Sequence, residues 1–221
     1  MNVLGMWPAT RQEHPLYAPP KQSLHIDDLQ TGDILLCRNA HSNSWFLSIY
    51  ESLIRTVTHS PYSHVAMVVR DPPWVDQQGV YVLESAIESS PDAESHEQKM
   101  QTTKLSTLAD GSCEIMIRKM MKGTISEQQL EEVHDKTTSY DGNPYDLAKA
   151  ALQIHSSEQR TDAFICSALI SFIFVQFGFL DADLDFAICL PAQFSSDSDA
   201  LPWTDTVEYS KDTLLEIQND D

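Results

Sequence analysis

The chain reads as an α+β protein, a mostly antiparallel sheet packed against one buried central helix. Two observations carry that reading. Residues 164–180, FICSALISFIFVQFGFL, hold no charge, and Cys166, Ser167, Ser171 and Gln176 are their only polar side chains. A helix that is apolar on nearly every face has to be buried. On the strand side, short β-branched runs lie between turn residues, with His64 to Val69 before Asp71-Pro72-Pro73 and Val80 to Glu84 after Gly79. Such runs are strand signals, and the Pro-rich break between them is a turn signal.

Taken in order, residues 1–23 contain Pro8, Pro15, Pro19 and Pro20 in a polar mix without periodicity, and they read as an extended arm. The turn Thr31-Gly32-Asp33 leads into Ile34 to Cys37, a short apolar run suited to a buried strand. Residues 42–58 space Trp45, Phe46, Ile49, Leu53, Ile54 and Val57 at helical intervals until His59-Ser60-Pro61 breaks the pattern. After the hairpin, residues 86–112 are polar and partly acidic and read as a surface excursion, with Cys113 to Lys119 a further strand.

Ser126 and Gln129 form the two ends of a capping box, which predicts a helix to about Ser139. Residues 140–144 read as a turn and 145–154 as another helix. Thr161 or Asp162 suits the start of the central helix and Gly178 its end. The segment CLPAQF, 189–194, reads as a return to the sheet. This organises the chain as an arm over 1–23, one folded domain over 24–200 and an acidic tail over 201–221.

Bulk properties bound the function. A chain of 221 residues with 42% hydrophobic content is long enough for one domain with a substantial core. The net charge of −19 argues against nucleic acid and anionic membrane surfaces, which both attract basic patches. That charge suits basic substrates or, with more weight, solubility. Residues 164–180 sit at the short limit of a membrane span, about 17–25 residues, and carry no flanking Lys or Arg cluster, so no stable span is expected. The start MNVLGMWPATRQEHP lacks the charged and apolar regions of a signal peptide, so a cytoplasmic, reducing location is the expectation. Cys37, Cys113, Cys166 and Cys189 are widely spaced, with no His pair at ligand spacing, so zinc is not expected.

Cys166 falls near the first turn of the central helix, where free N–H groups and the positive end of the macrodipole stabilise a thiolate. Alone, it reads better as a small core hydrophobe; only partners elsewhere overturn that. A hairpin register joining Val69 to Gly79 sets His64 directly opposite Glu84, on one face. A carboxylate there fixes the imidazole tautomer and leaves the other ring nitrogen to take a thiol proton. A slip of one residue would put the pair on opposite faces.

The segments GDILL, SPYSHVAMVV, VYVLES, NPYD, FICSALI and LPAQF, in that order, resemble the circularly permuted branch of the NlpC-type papain-like superfamily, in particular the YiiX-like cysteine peptidases. Lecithin:retinol acyltransferase is a more distant likeness. The resemblance spans roughly residues 29–200. It implies a permuted papain-like fold in which the cysteine helix follows the histidine strand. It also implies a cysteine peptidase or amidase with Cys166 as nucleophile, His64 as base and Glu84 as the residue that orients it. Tyr145, in NPYD, resembles a tyrosine that lines the site and helps hold an oxyanion. Gln193 stands where the family carries an acid, and no catalytic role falls to it. No cofactor is implied. The substrate would be a peptide, an amide or an acyl ester. The alternatives are a thiol acyltransferase, which shares the first half-reaction, and a binding module that keeps the fold without catalysis.

Overall fold

The computed structural model describes residues 23–38, 61–87, 98–108, 114–138 and 166–216. The expected helices over 42–58 and 145–154, the turn over 140–144 and the cap at Thr161 or Asp162 lie outside these residues. The described strands are β1 (Ser23–Leu24), β2 (Ile34–Arg38), β3 (Tyr62–Arg70), β4 (Val80–Ile87), β5 (Gln98–Lys104), β6 (Glu114–Arg118), β7 (Met120–Lys122), β8 (Glu208–Tyr209) and β9 (Thr213–Leu215). The helices are α1 (Leu105–Leu108), α2 (Glu127–Thr138) and α3 (Cys166–Gln176). Seven strands form one sheet in the order β1-β9-β6-β2-β3-β4-β5, while β7 and β8 form a separate pair. Every pairing in the large sheet is antiparallel except β1 with β9.

The centre of the sheet follows from β2, whose five residues are all buried. Its side chains alternate: Ile34 and Leu36 join the apolar cluster around α3, while Leu35 and Cys37 join a second cluster with Ala66, Val68, Val82, Leu105, Ile115 and Ile117. Period-2 alternation into two cores explains why the run is continuously apolar. The turn before β2 is held by Asp33. Its fully buried carboxylate accepts from the Gln30 N–H at 2.8 Å, the Met120 N–H at 2.8 Å and Lys119 Nζ at 2.7 Å. A buried carboxylate is tolerable because its acceptor sites are filled, one of them by an opposite charge.

Helix α3 is the element the core closes around. Leu169, Ile170, Ile173 and Phe174 are fully buried, and side chains of this size each contribute about 1.5–3 kcal/mol on burial. The helix ends as its sequence predicts. Gly178 has φ 71°, the Gly178 N–H donates to the Val175 carbonyl and the Phe179 N–H donates to the Phe174 carbonyl. This is a Schellman arrangement, with glycine in the left-handed position. The expected capping box also forms at α2: the Gln129 N–H donates to Ser126 Oγ, and the Ser126 N–H donates to Gln129 Oε1.

Three segments differ from the sequence reading. Residues 86–112 are not simply a surface excursion, because β5 and α1 lie within them and Leu105 is fully buried. A strand at the sheet edge is polar, which removes the alternation that would have announced it. CLPAQF does not return to the sheet: Phe186–Ile188 and Pro191–Phe194 form short 3-10 turns. Pro191 suits a turn start, and Gln193 Oε1 caps the second turn by accepting from the Leu190 N–H at 2.7 Å. The stretch expected as an acidic tail carries β8 and β9, and β9 lies between β1 and β6 with Leu215 buried. Its apolar residues are too few for a pattern of their own and find their partners only across the sheet.

Candidate active site

The site lies where β3 and β4 part. Their ladder runs from Arg70↔Val80 through Val69↔Tyr81 and Val68↔Val82 to Met67↔Leu83 and goes no further among the described residues. Beyond it, Glu84 and the rest of β4 pair with β5, while the start of β3 pairs with β2. The register is two residues away from the expected one: Arg70, not Val69, adjoins the turn pair Asp71 and Gly79, whose backbones meet at 2.8 Å. His64 and Glu84 are therefore not directly opposed. They are diagonal, and a shift of two preserves the face because the side-chain period is two. Diagonal neighbours lie about 7–8 Å apart, within reach of two long side chains.

The side chains do meet. His64 Nε2 and Glu84 Oε2 are 2.8 Å apart. Glu84 is almost wholly buried and is held from its other side as well, Oε1 accepting from Thr103 Oγ1 at 2.6 Å and from Gln101 Nε2 at 3.2 Å. Both donors come from β5, in which Gln101 is the cross-strand partner of Glu84 and Thr103 that of Val82. These two residues are absent from the sequence reading. A polar edge strand offers no hydrophobic period, and only the pairing of β5 with β4 reveals their role.

Cys166, the first described residue of α3, brings its sulfur to His64. The two side chains are close enough for each to shift the other's protonation. Since Nε2 faces Glu84, Nδ1 is the nitrogen left for the sulfur. Cys166 is buried at 6% exposure, while the His64 side chain is about a quarter open at 24%, so the site is reached past the ring.

The electrostatics favour an ion pair. For Cys166, burial is the largest influence and raises the thiol pKa. The His64 charge and hydrogen bond, with the Val65 and Ser167 backbone N–H groups, outweigh burial and hold the pKa below its ordinary value. For His64, burial again acts first and disfavours the charged ring, but the Cys166 sulfur and then Glu84 raise its pKa well above the imidazole range. Glu84 is likewise opposed by burial, yet the His64, Thr103 and Gln101 hydrogen bonds keep it below the usual carboxylate value. Both directions favour a thiolate–imidazolium pair braced by a carboxylate, the form in which a cysteine is nucleophilic.

Of the residues singled out from the sequence, the fold brings Cys166, His64 and Glu84 together; Tyr145 lies outside the described residues. Among the described residues, no three His, Cys, Asp or Glu side chains are grouped so that they could hold a metal ion. No described helix is long and apolar enough to cross a membrane.

No family model matches the chain, and no curated protein matches it. Among solved structures it is similar to the metalloprotein yiiX from Escherichia coli O157:H7 (DUF1105), at 17% identity and a TM-score of 0.44, over 82% of this chain and 96% of that one.

Proposed function

We propose that this chain is a cysteine-dependent hydrolase of amide or ester bonds, built on a circularly permuted papain-like fold. The observation that carries the proposal is the Cys166–His64–Glu84 relay, in which a buried thiol at the start of α3 contacts an imidazole bound at 2.8 Å to a buried carboxylate. Three side chains from three elements, each able to take one step of thiol chemistry, meet at one place.

The mechanism follows from their protonation states. The Cys166 thiolate attacks the carbonyl carbon, forming a C–S bond and a tetrahedral oxyanion. N–H groups of the first turn of α3, that of Cys166 among them, are the donors suited to that oxygen. As the intermediate collapses, His64 gives its Nδ1 proton to the leaving amine or alkoxide, and the acyl group stays on sulfur. Neutral His64 then takes a proton from water, whose oxygen attacks the thioester. The acid leaves, and the pair is restored as the thiolate departs. Glu84 keeps its charge throughout, orienting the ring and stabilising the imidazolium.

The test is to incubate the protein with an electrophilic peptide probe and a panel of fluorogenic amide and ester substrates, with Cys166→Ala as control. The proposal expects probe attachment at Cys166 and turnover that the variant loses. Absence of both attachment and turnover in the folded protein would overturn it.

A further inference from the structure

Glu84 sits between two ladders. It lies one residue past Met67↔Leu83, the last β3–β4 pair among the described residues, and inside the β4–β5 ladder, which runs from Tyr81↔Lys104 to Ile87↔Gln98. The strand paired with β4 at Glu84 is therefore β5, the last strand of the sheet. Side chains alternate along a strand, so Gln101, opposite Glu84, and Thr103, opposite Val82, share the face of the carboxylate. Thr102, between them, turns to the other face, where its Oγ1 accepts from Trp74 Nε1 at 2.9 Å. Trp74 stacks in turn on His134 of α2, with ring centroids 3.9 Å apart. Three consecutive residues of β5 thus hold the acid of the relay on one face and the turn over residues 71–79 on the other.

The two β5 donors are not equal. Thr103 Oγ1 lies 2.6 Å from Glu84 Oε1, within the range of about 2.5–2.7 Å for a hydroxyl on a charged oxygen. Gln101 Nε2, at 3.2 Å, is at the long end for an N–H donor. An ionised carboxylate only accepts, so the hydroxyl has to donate. We propose that Thr103 is the positioning residue of the relay: its hydroxyl fixes Oε1 of Glu84 and so turns Oε2 to the His64 ring. The inference rests on the reading of Cys166, His64 and Glu84 as a catalytic relay and extends it to the edge strand. Without the hydroxyl, Oε1 would keep only the longer Gln101 bond while Glu84 stays buried at 2% exposure. A buried carboxylate short of donors turns towards others or takes up a proton, and either change loosens the 2.8 Å contact with Nε2. The donors around the carboxylate are one titratable ring and two neutral groups, so its ionisation reports on this arrangement.

The experiment compares Thr103→Val, which deletes the hydroxyl and keeps the branched shape, with Thr103→Ser, which keeps the hydroxyl. Two quantities are read in each folded protein. One is the Glu84 carboxyl midpoint, from 13C NMR of labelled glutamate, the resonance being assigned by its loss in Glu84→Gln. The other is the iodoacetamide rate of Cys166 at neutral pH. The expected result for Thr103→Val is a midpoint raised by about one unit, a tenfold change in the ionisation equilibrium, and a rate lowered several-fold. Thr103→Ser should restore both.

An unshifted midpoint in folded Thr103→Val overturns the positioning role, as does a Ser variant that behaves like the Val variant. The midpoint is also measured in Cys166→Ala, with and without Thr103→Val, so that it judges the positioning apart from the nucleophile. A Cys166 that reacts as an ordinary thiol in the unmodified protein overturns instead the hydrolase reading on which the inference stands. Should Thr103→Val not fold, the Thr103 hydroxyl proton of the unmodified protein decides. It should exchange slowly with solvent and move with the Glu84 titration; a fast-exchanging proton indifferent to that titration refutes the role.

Discussion

His64 and Glu84 meet diagonally across the point where β3 and β4 separate, with 2.8 Å between Nε2 and Oε2. The two carboxylate oxygens divide three donors between them, Oε2 taking the imidazole. Oε1 already receives Thr103 and Gln101, so all three donors need an oxygen.

That division of donors sets the outcome at position 84. An amide in Glu84→Gln has only one oxygen. If it serves Thr103 and Gln101, its NH2 faces His64 and forces the tautomer whose Nδ1 carries a proton and is no base. Glu84→Gln is therefore expected to lower kcat/KM nearly as far as His64→Ala, about 10²–10⁴-fold. Because the residues act as one unit, the double variant should be little worse than His64→Ala alone. Kinetics on the two single variants and the double variant check this, and additive losses would refute the pairing.

Limiting iodoacetamide followed by peptide mapping should mark Cys166 before Cys37, Cys113 and Cys189. Cys189 makes the contrast clear. Burial, helped by Asp185 and only partly offset by Ser171, pushes its thiol up to about 11. Equal labelling of all four thiols would remove Cys166 from the role of nucleophile.

The pH dependence has a definite sign. His64 is raised in the fold, so its ionic contribution to stability is complete below the ordinary imidazole value and is lost as pH rises through the raised one. Cys166 and Glu84 are lowered, so their contributions are complete above their ordinary values and are lost as pH falls through the lowered ones. A thiolate–imidazolium window requires the lowered Cys166 value to lie below the raised His64 value; it opens at the first and closes at the second. In Cys166→Ala the largest favourable influence on the ring is gone while burial remains, so the His64 midpoint should fall. An NMR titration of the ring proton reads this directly, and an unchanged midpoint would show that the sulfur does not sustain the charge.

Gly178 offers a test of the core helix apart from the chemistry. A Cβ added there would meet nothing within 4 Å, so only the backbone at φ 71° opposes a side chain. Gly178→Ala should cost about 1–2 kcal/mol, the left-handed penalty for an ordinary residue, and Gly178→Asn less. Denaturant unfolding of both variants checks the order; equal or greater stability of the Ala variant would contradict the cap.

The sequence by itself determined the elements whose signals are local. An uncharged run fixed the burial of α3, Ser126 and Gln129 its neighbour's cap, and Gly178 the helix end. The turn at 71–79 placed two strands whose even-numbered residues, His64 and Glu84, share a face under any even shift of register. That is why the pair was legible although the expected register was off by two. Tertiary structure decided what depends on pairing between distant segments. Neither the polar strand β5, with Gln101 and Thr103 behind Glu84, nor β9, with its few apolar residues, has a period that announces it. Where the β3–β4 ladder stops is likewise invisible in β-branched runs, since propensity says that a residue is extended but not what its N–H faces.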